Sequence, residues 1–476
     1  MNPGEIEEVL ALAAEAARGY LATLDERPVR ATAAEQALAR LGGPLPDAGD
    51  GALASLRLLI DDGVAASTAS AGPRFFHFVT GGVTPAALGA DWLASTLDQN
   101  AFAWVASPLA AQLESTAVDW LKSLFGLPQA WGGVLTTGAT MANFAGLAAA
   151  RRWWGERHGA DVDRGGLMGL PALPVFSSGY IHSTAFKALA MLGIGRDSVR
   201  TFVRDDAGRL DLEALETALR GLGGAPAILI ATAGEVNAGH FDPIEPMADL
   251  ADAHGAWLHV DGAFGLFAAL SARTVPLLAG VERADSVISD GHKWLNVPYD
   301  CGFAFVRDPK ALGGTFSLDA AYLPSADDPR PNLGFSSPES SRRARALAVW
   351  ATLKAYGRDG YRTMVERHLE LAQRVRRRVD EAPDLELLGD VPLCVVPFRY
   401  RPPGLGDAEL DELNLRLGEA VLEDGRVFVG TTRYRGRIAF RPAIVNWRTR
   451  ETDVDLLVDV IREVGAGLLG ESVPSR

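Results

Sequence analysis

Short apolar runs alternate with longer segments of helical periodicity through the middle of the chain. Each run has the length of a buried strand and is bounded by turn residues; the runs cover residues 175–178, 199–203, 227–232, 258–261, 286–289 and 302–306. Apolar positions recur at helical spacing between several of them, as in residues 210–222 and 244–254. Repeated strand–helix units predict the α/β class, with a largely parallel, doubly wound sheet that carries helices on both faces.

The two ends of the chain have different patterns. Residues 1–72 contain separated helical stripes with Gly-Pro breaks between them. Helices so separated rarely form a core alone, so we expect this segment to pack on another surface, that of a partner subunit. The C-terminal pattern favours a small α+β domain, with one strand predicted at residues 426–430. We therefore predict a helical segment over residues 1–72, a large domain over 73–358 and a small domain over 359–476.

Composition narrows the classes of function. The chain has 476 residues, of which 48% are hydrophobic, and its net charge is −14, which argues against a nucleic-acid or anionic-membrane partner. Cys301 and Cys394 are too few for a disulfide framework and lack the spacing of metal ligands, so we predict no metal site. No apolar stretch reaches transmembrane length, and the first residues lack a signal-peptide core. We expect a cytoplasmic protein.

The candidate chemistry centres on residues 284–300, ADSVISDGHKWLNVPYD. An apolar run ends there in Asp290, and His292 and Lys293 lie on the turn beyond it. Of the five lysines, only Lys293 follows a buried strand. A desolvated lysine is useful as a neutral amine, which forms a Schiff base with an aldehyde. The alternative is a lysine that extends from the strand end to solvent.

The preceding predicted strand ends in a carboxylate, Asp261, which is followed by Gly262 and Ala263. A lysine for a Schiff base and a carboxylate that keeps a pyridine nitrogen protonated are what an enzyme using pyridoxal 5'-phosphate (PLP) requires. An aspartate at a strand end can also simply cap the next helix, and the pattern leaves that alternative open.

Two strand-to-helix turns carry further candidate residues for a cofactor site. Thr137, Gly138, Ala139 and Thr140 lie where a strand meets a helix, so their N–H groups and hydroxyls could hold a phosphate or only water. His182 lies near the start of another helix, whose dipole disfavours a cation. A neutral imidazole there could stack on a pyridine ring, or it could be a half-buried cap.

A parallel sheet brings these parts together, because the carboxyl ends of its strands share one edge. On that edge we expect Gly138, His182, Asp261 and Lys293, together with Asn237 from the loop after residues 227–232. Five compatible parts at one edge are far less probable by chance than any one of them.

Aromatic residues and a polar loop suggest how a substrate would be enclosed. Phe78, Phe102 and Trp104 could line a ligand pocket near a domain junction, or they could pack in the core. Residues 311–340 are polar and proline-rich, which is typical of an active-site lid.

From about Pro73 to Trp447 the chain resembles the group II PLP-dependent amino-acid decarboxylases, which include aromatic L-amino-acid, glutamate, histidine and diaminobutyrate decarboxylases. The resemblance rests on HVDGA at residues 259–263, the pattern SxxxDGHKW at residues 286–294, the threonine-rich loop and His182-Ser183. Bacterial members are the most similar. The resemblance implies PLP fold type I, like that of aspartate aminotransferase, with a large mixed, mostly parallel sheet domain and a small C-terminal α+β domain.

The resemblance also implies roles for individual residues. Lys293 would bind PLP as a Schiff base, Asp261 would pair with the pyridinium nitrogen, and Ala263 and His182 would lie under and over the ring. The phosphate would be served by Thr137, Ala139, Thr140 and His292, with Asp290 as a polar neighbour. Tyr322 would lie on the lid and help to protonate the substrate carbon after carbon dioxide leaves.

The chain departs from the family pattern in two places. Gly234-Glu235-Val236-Asn237 replaces the usual glycine-threonine-threonine, and Thr140 stands where serine is frequent. Tyr322 argues against aldehyde-forming relatives, in which the resemblance implies phenylalanine.

The predicted function is that of a homodimeric decarboxylase, with its active site at the subunit interface, that converts a small-molecule L-amino acid to its amine and carbon dioxide. Phe78, Phe102 and Trp104 favour an aromatic substrate. The alternatives are oxidative deamination to an aldehyde, transamination, and a non-catalytic scaffold of the same fold.

Overall fold

The helices and strands alternate in the order that the sequence pattern predicts. The computed structural model describes residues 3–31, 34–317 and 329–470. The N-terminal elements are α1 (Ile6–Thr23), α2 (Ala34–Leu41), α3 (Ala52–Leu58), α4 (Val64–Ala66), α5 (Pro85–Leu97) and α6 (Pro108–Phe125). The central elements are β1 (Gly132–Thr136), α7 (Ala139–Arg157), α8 (Val162–Gly165), β2 (Val175–Ser177), α9 (Ser183–Met191), β3 (Val199–Thr201), α10 (Leu212–Gly221), β4 (Ile228–Thr232), α11 (Ile244–His254), β5 (Trp257–Asp261), β6 (Ser286–Asp290), β7 (Gly302–Val306) and α12 (Pro309–Phe316). The C-terminal elements are α13 (Ala346–Glu381), β8 (Leu385–Leu387), β9 (Phe398–Tyr400), α14 (Asp407–Asp424), β10 (Thr431–Tyr434), β11 (Arg437–Phe440) and α15 (Glu451–Gly470).

A seven-stranded sheet in the order β1-β7-β6-β5-β4-β2-β3 forms the larger core. Strands β2 to β6 pair in parallel, whereas β7 is antiparallel to both of its neighbours, β1 and β6. Strand β1 therefore points the same way as β2 to β6, and the carboxyl ends of these six strands share one edge. The predicted α/β class with a mixed, mostly parallel sheet is confirmed.

Helices cover both faces of this sheet. Every residue of β4, β5, β6 and β7 is buried, as expected for strands covered on both sides. Alternate residues of β4 join different cores: Ile228 and Ile230 pack with α7 and α9, whereas Leu229 and Ala231 pack with α6 and α11. The alanine-rich helix α7 packs closely on one face of this sheet.

A smaller antiparallel sheet, in the order β10-β11-β9-β8, packs with α14, α15 and the second half of α13. Helix α13 links the two cores and bends at Gly357, where φ is 59°. The strand predicted at residues 426–430 is wrong: β10 begins at Thr431, and Phe428 instead makes an isolated bridge with Phe75. The backbone of Phe428 therefore binds the segment at residues 73–82 instead of adding a strand to the small sheet. The three predicted regions, 1–72, 73–358 and 359–476, remain a proposal.

The N-terminal helices bury little of their apolar surface within the chain. Neither α1 nor α3 has a buried residue, and Ile6 and Leu10 are 67% and 55% exposed. Within the described residues, no helix is both long and apolar enough to cross a membrane.

Candidate active site

A cavity of about 470 Å³ opens at the shared carboxyl edge of the large sheet. Strands β1, β4, β5 and β6 end at this cavity, as the parallel topology requires. It brings together most of the predicted site residues: Phe78, Thr137, Gly138, Ala139, Thr140, His182, Asp261, Ala263, Asp290, His292 and Lys293.

The backbone of Lys293 is fixed by neighbouring segments. It lies on an irregular turn, Gly291–Leu295, with φ −87° and ψ −109°, and the turn ends at the left-handed Asn296. The fully buried amide of Asn296 donates to the carbonyls of Trp294 (2.8 Å) and Val445 (2.9 Å). From the other side, a Cβ on Gly81 would lie 1.7 Å from the Lys293 carbonyl oxygen, so only glycine permits this approach.

The amine of Lys293 faces a buried carboxylate. Its Nζ lies 3.1 Å from Oδ2 of Asp290, whose Oδ1 accepts the N–H of Ala139 at 2.6 Å. Burial works to raise the pKa of Asp290, but the charge of Lys293 and the contact with His292 outweigh it, so this pKa lies below its usual range. The N–H of Ala139 therefore has a protein partner, and the predicted phosphate roles of Ala139 and Asp290 remain proposals.

Asp261 ends β5 and is 4% exposed. Its Oδ2 accepts from Nδ2 of Asn143 at 3.0 Å, and its Oδ1 accepts the N–H of Ala263 at 3.2 Å. The carboxylate is therefore held in one orientation at the cavity wall. It accepts one N–H of the following turn and also faces the cavity, so the capping alternative and the functional prediction are compatible.

His182 caps helix α9 and also lines the cavity. Its Nδ1 accepts the N–H of Thr184 at 3.3 Å, so the ring proton belongs on Nε2. Burial lowers the pKa of His182, and the charges of Lys293 and Arg441 lower it further against the opposing effect of Asp261. The imidazole is therefore neutral. Both interpretations of this residue, as a helix cap and as a cavity residue, are compatible with the geometry.

The start of α7 and the ring of His292 form the other end of the cavity. A Cβ on Gly302 would lie 2.5 Å from Gly138, so strand β7 passes close beneath the loop. The Nδ1 of His292 accepts the N–H of Cys301 at 3.2 Å, and its ring stacks on Tyr299 with centroids 4.2 Å apart. Helix N–H groups, threonine hydroxyls and an imidazole are the donors that a phosphate ester needs.

Three predicted residues do not line this cavity. Asn237 accepts the hydroxyl of Thr432 at 2.9 Å, because the Glu235 carboxylate binds the loop N–H groups and turns Asn237 away. Phe102 packs edge-on against Phe335 at 5.2 Å. The backbone N–H of Trp104 donates to Asn332 at 3.0 Å. Phe102 is half-buried, and its predicted role in a substrate pocket remains a proposal. Tyr322 lies outside the described residues.

Arg441 was missed by the sequence argument. It follows β11 of the small sheet, lines the cavity, and donates to the carbonyl of Val236 at 3.2 Å. Burial lowers its pKa, while Glu235 opposes that shift. Glu235 also lines the cavity, and burial raises its pKa despite the N–H groups that it accepts. No local sequence pattern marks Arg441, because the small sheet is far along the chain from the strands of the site and approaches them only in the folded structure.

Comparisons with known proteins agree with this geometry. A family model described as the pyridoxal-dependent decarboxylase conserved domain matches residues 52–401. The chain is 32% identical over 384 residues to an aromatic-L-amino-acid decarboxylase of Bacillus atrophaeus, with 79% of this chain and 78% of that protein covered. It is 31% identical over 434 residues to an L-2,4-diaminobutyrate decarboxylase of Rhizobium meliloti (strain 1021), with 89% and 84% covered.

A solved structure of similar fold is Oryza sativa TDC with PLP and tryptamine, at a TM-score of 0.90 and 26% identity, with 98% of this chain and 99% of that chain covered. The predicted family, the enzyme class of PLP-dependent carboxy-lyase and the cofactor are confirmed by the family match and these relatives. The chain belongs to the pyridoxal-dependent decarboxylase family.

Proposed function

We propose that this protein removes the carboxyl group of an aromatic L-amino acid to give the corresponding amine and carbon dioxide. The observation that carries the proposal is that Lys293, Asp261, His182 and the start of α7 border one cavity. These groups fit PLP, since they include an amine for its aldehyde, a carboxylate for its ring nitrogen and N–H donors for its phosphate.

The residues have separate tasks in this proposal. PLP, when bound, supplies the electron sink that decarboxylation needs. Lys293 would hold its aldehyde carbon, Asp261 would keep the proton on its ring nitrogen, and the neutral ring of His182 would cover one face. The phosphate would lie against Thr137, Gly138, Ala139, Thr140 and His292, with Asp290 alongside. Tyr322 would provide the proton that replaces the carboxyl group.

Arg441 supports an amino-acid substrate. Among residues 3–31, 34–317 and 329–470, no carboxylate lies within 4.0 Å of its guanidinium, which contacts only a carbonyl. A half-buried cation without an ionic partner gains most from an anion that enters the cavity. A substrate carboxylate is such an anion, and a guanidinium binds it with directed hydrogen bonds.

The aromatic residues that border the cavity favour a substrate with an aromatic side chain. Phe78, Tyr180, Phe264 and Tyr299 border the cavity, and rings of this kind pack well on a planar substrate group. Phe78 and Tyr299 are 61% and 62% exposed, so a bound ring would cover surface that is now open to water.

In this proposal the protein is a homodimer, and a second copy of the chain covers apolar surface that one copy leaves exposed. Trp92, Leu97, Val105 and Leu109 are all at least 45% exposed on the side of α5 and α6, and α1 buries none of its residues within the chain. Exposed apolar surface of this extent favours a partner subunit. A homodimer with its active site at the interface would cover the open mouth of the cavity. The free cysteines Cys301 and Cys394 support a reducing, cytoplasmic location.

The test is to give the PLP-loaded enzyme a pool of L-amino acids and to identify products by mass spectrometry. A single aromatic amine with release of carbon dioxide is expected. An acidic or diamino product would overturn the aromatic assignment only. An aldehyde with ammonia, or activity that requires a keto acid, would replace decarboxylation by oxidative deamination or transamination. No product from any amino acid, together with no binding of PLP, would indicate a scaffold.

A further inference from the structure

A row of buried polar side chains lies behind Asp261, on the side away from the cavity. We call Asn143, His259, Ser286 and Trp257 the Asp261 support chain. Asn143 Nδ2 is 3.0 Å from Asp261 Oδ2, and Asn143 Oδ1 is 2.8 Å from His259 Nε2. His259 Nδ1 is 2.7 Å from Ser286 Oγ, which is 2.9 Å from Trp257 Nε1. These contacts form one unbroken series of hydrogen bonds.

The Asp261 end of the series sets the direction of its hydrogen bonds. A carboxylate can only accept, so Asn143 directs its Nδ2 at Asp261 and its Oδ1 at His259 Nε2. The ring proton of the neutral His259 is therefore on Nε2, and its Nδ1 accepts the hydroxyl hydrogen of Ser286. The Ser286 oxygen still has lone pairs for the indole N–H of Trp257, which can only donate. Each group therefore has one arrangement.

Burial keeps the series intact and uncharged. Asn143, His259 and Ser286 are fully buried, and Trp257 and Asp261 are 4% exposed. Burial lowers the pKa of His259 to about 4, although Asp261 opposes the shift. A neutral donor can orient the Asp261 carboxylate without cancelling its charge. A cationic neighbour would compete with a pyridinium ring for that charge.

The sheet geometry explains why these residues meet. Residues 257, 259 and 261 lie on the same face of β5, because side chains alternate along a strand. Ser286 of β6 is the direct register partner of His259. Helix α7 covers this face, and a Cβ on Gly146 would lie 2.9 Å from His259 Cε1, so a glycine is needed for Asn143 to approach.

We propose that Asn143, His259 and Ser286 are positioning residues that orient the Asp261 carboxylate towards the ring nitrogen of the bound cofactor. This inference rests on the proposed function, because it takes Asp261 as the partner of that nitrogen. It assigns the buried side chains a role in cofactor binding that is distinct from their contribution to stability. Loss of the amide of Asn143 leaves Oδ2 of Asp261 and Nε2 of His259 without the partner that each has in the fold.

The experiment compares full-length variants by two measurements: PLP affinity of the apo protein, and the change with pH of the visible absorbance of the loaded protein. Asn143→Leu is expected to weaken PLP binding roughly 10- to 100-fold, because an orphaned buried partner costs that much. His259→Gln keeps a donor at the position of Nε2 and should bind PLP more tightly than His259→Leu. Ser286→Ala, which is further from Asp261, should have the smallest effect.

Two controls separate positioning from general destabilisation. Asn414 is a fully buried asparagine of the small core that binds the backbone of Tyr400 and Leu410. Asn414→Leu should lower thermal stability as Asn143→Leu does, yet leave PLP affinity and the absorbance profile near those of the natural chain. In an Asp261→Ala background, Asn143→Leu should produce no further loss of PLP affinity, since its effect passes through Asp261.

The possible outcomes distinguish failure of the proposed role of Asp261 from failure of the support chain. If Asp261→Ala itself leaves PLP affinity and absorbance unchanged, the proposed role of Asp261 fails, and the support chain loses its purpose with it. If Asp261→Ala weakens binding but Asn143→Leu does not, the role of Asp261 stands and the support chain is structural only. Equal, additive losses in the double variant would also overturn the inference.

Discussion

The floor of the cavity, around Asp261, and its mouth, around Arg441 and Phe78, are built in different ways. The floor comes from adjacent strands and the helix that covers them, and its polar groups are buried and mutually hydrogen-bonded. The turn after β6 that carries Lys293 belongs to the floor, whereas the mouth is assembled from the loop at residues 73–82 and the end of β11. Phe78 and Val79 there have left-handed backbones, with φ of 56° and 59°, which is uncommon for residues of this size.

This difference indicates which part of the site handles the cofactor and which part handles the substrate. A ring nitrogen needs a carboxylate of fixed direction, and a rigid, dry floor provides it. A variable substrate needs walls that can change without disturbing the sheet, and loops from separate segments provide them. We therefore expect changes in the floor to affect chemistry and cofactor binding, and changes in the mouth to affect substrate affinity.

The largest effect should follow from removing the amine in the floor. Lys293→Ala is expected to lower the rate of amine formation by ~10³-fold or more, because among the described residues no other lysine borders the cavity to hold the cofactor carbon. Turnover is measured by product mass spectrometry, with folding checked by circular dichroism. The exposed Lys310, changed to Ala, is the matched control and should leave the rate unchanged. Undiminished turnover in Lys293→Ala would remove Lys293 from the mechanism.

Gly81→Ala should break the contact between mouth and floor. Its Cβ would lie 1.7 Å from the carbonyl oxygen of Lys293, so the loop or the turn must move. We expect a loss of about 3 kcal/mol or more in the free energy of unfolding, together with weaker PLP binding. Gly89→Ala in helix α5 has open space around its Cβ and should be neutral or slightly stabilising. The free energy of unfolding of both variants is measured with a denaturant. Equal values for Gly81→Ala and Gly89→Ala would contradict the close approach of Gly81 to Lys293.

The same contrast explains how much could be predicted from the sequence. The sheet class and the meeting of Lys293, Asp261, His182 and Gly138 follow from short apolar runs and parallel topology, and these were predicted. They could be predicted because strand-end residues occupy the same edge whatever the loops do.

Apart from Phe78, the mouth could not be predicted in this way. Arg441 lies far along the chain from the strand ends that it faces, and no local pattern marks it. Asn237 follows a strand as predicted, but the Glu235 carboxylate turns its loop so that the amide meets Thr432. The ring of Phe102 contacts Phe335, which is also distant in sequence.

The neutral floor should make stability depend on pH. Burial lowers the pKa of His259 from an ordinary 6.5 to about 4. The unfolded chain therefore takes up this proton first as pH falls, so the contribution of His259 to stability is full above pH 6.5 and is lost between pH 6.5 and 4. One histidine with this shift accounts for about 3 kcal/mol. His259→Gln, which does not titrate, should show a correspondingly smaller loss in denaturant unfolding at pH 4 relative to pH 7. Parallel curves for the two proteins would mean that His259 is not neutral in the fold.

The smallest of these effects should come from the mouth. Arg441→Leu removes the guanidinium that, in the part of the chain that the structure describes, contacts only the Val236 carbonyl. KM for the amino acid should therefore rise roughly 10- to 100-fold, the usual effect of losing one charge-assisted pair. PLP affinity should stay within about threefold of its original value, since Arg441 has no predicted contact with the cofactor. Arg433→Leu removes an exposed arginine from the neighbouring strand β10 and is the control for net charge. The measurements are steady-state kinetics and a titration with PLP. Loss of PLP affinity with an unchanged KM would mean that Arg441 serves the cofactor, which would contradict the division between a cofactor floor and a substrate mouth.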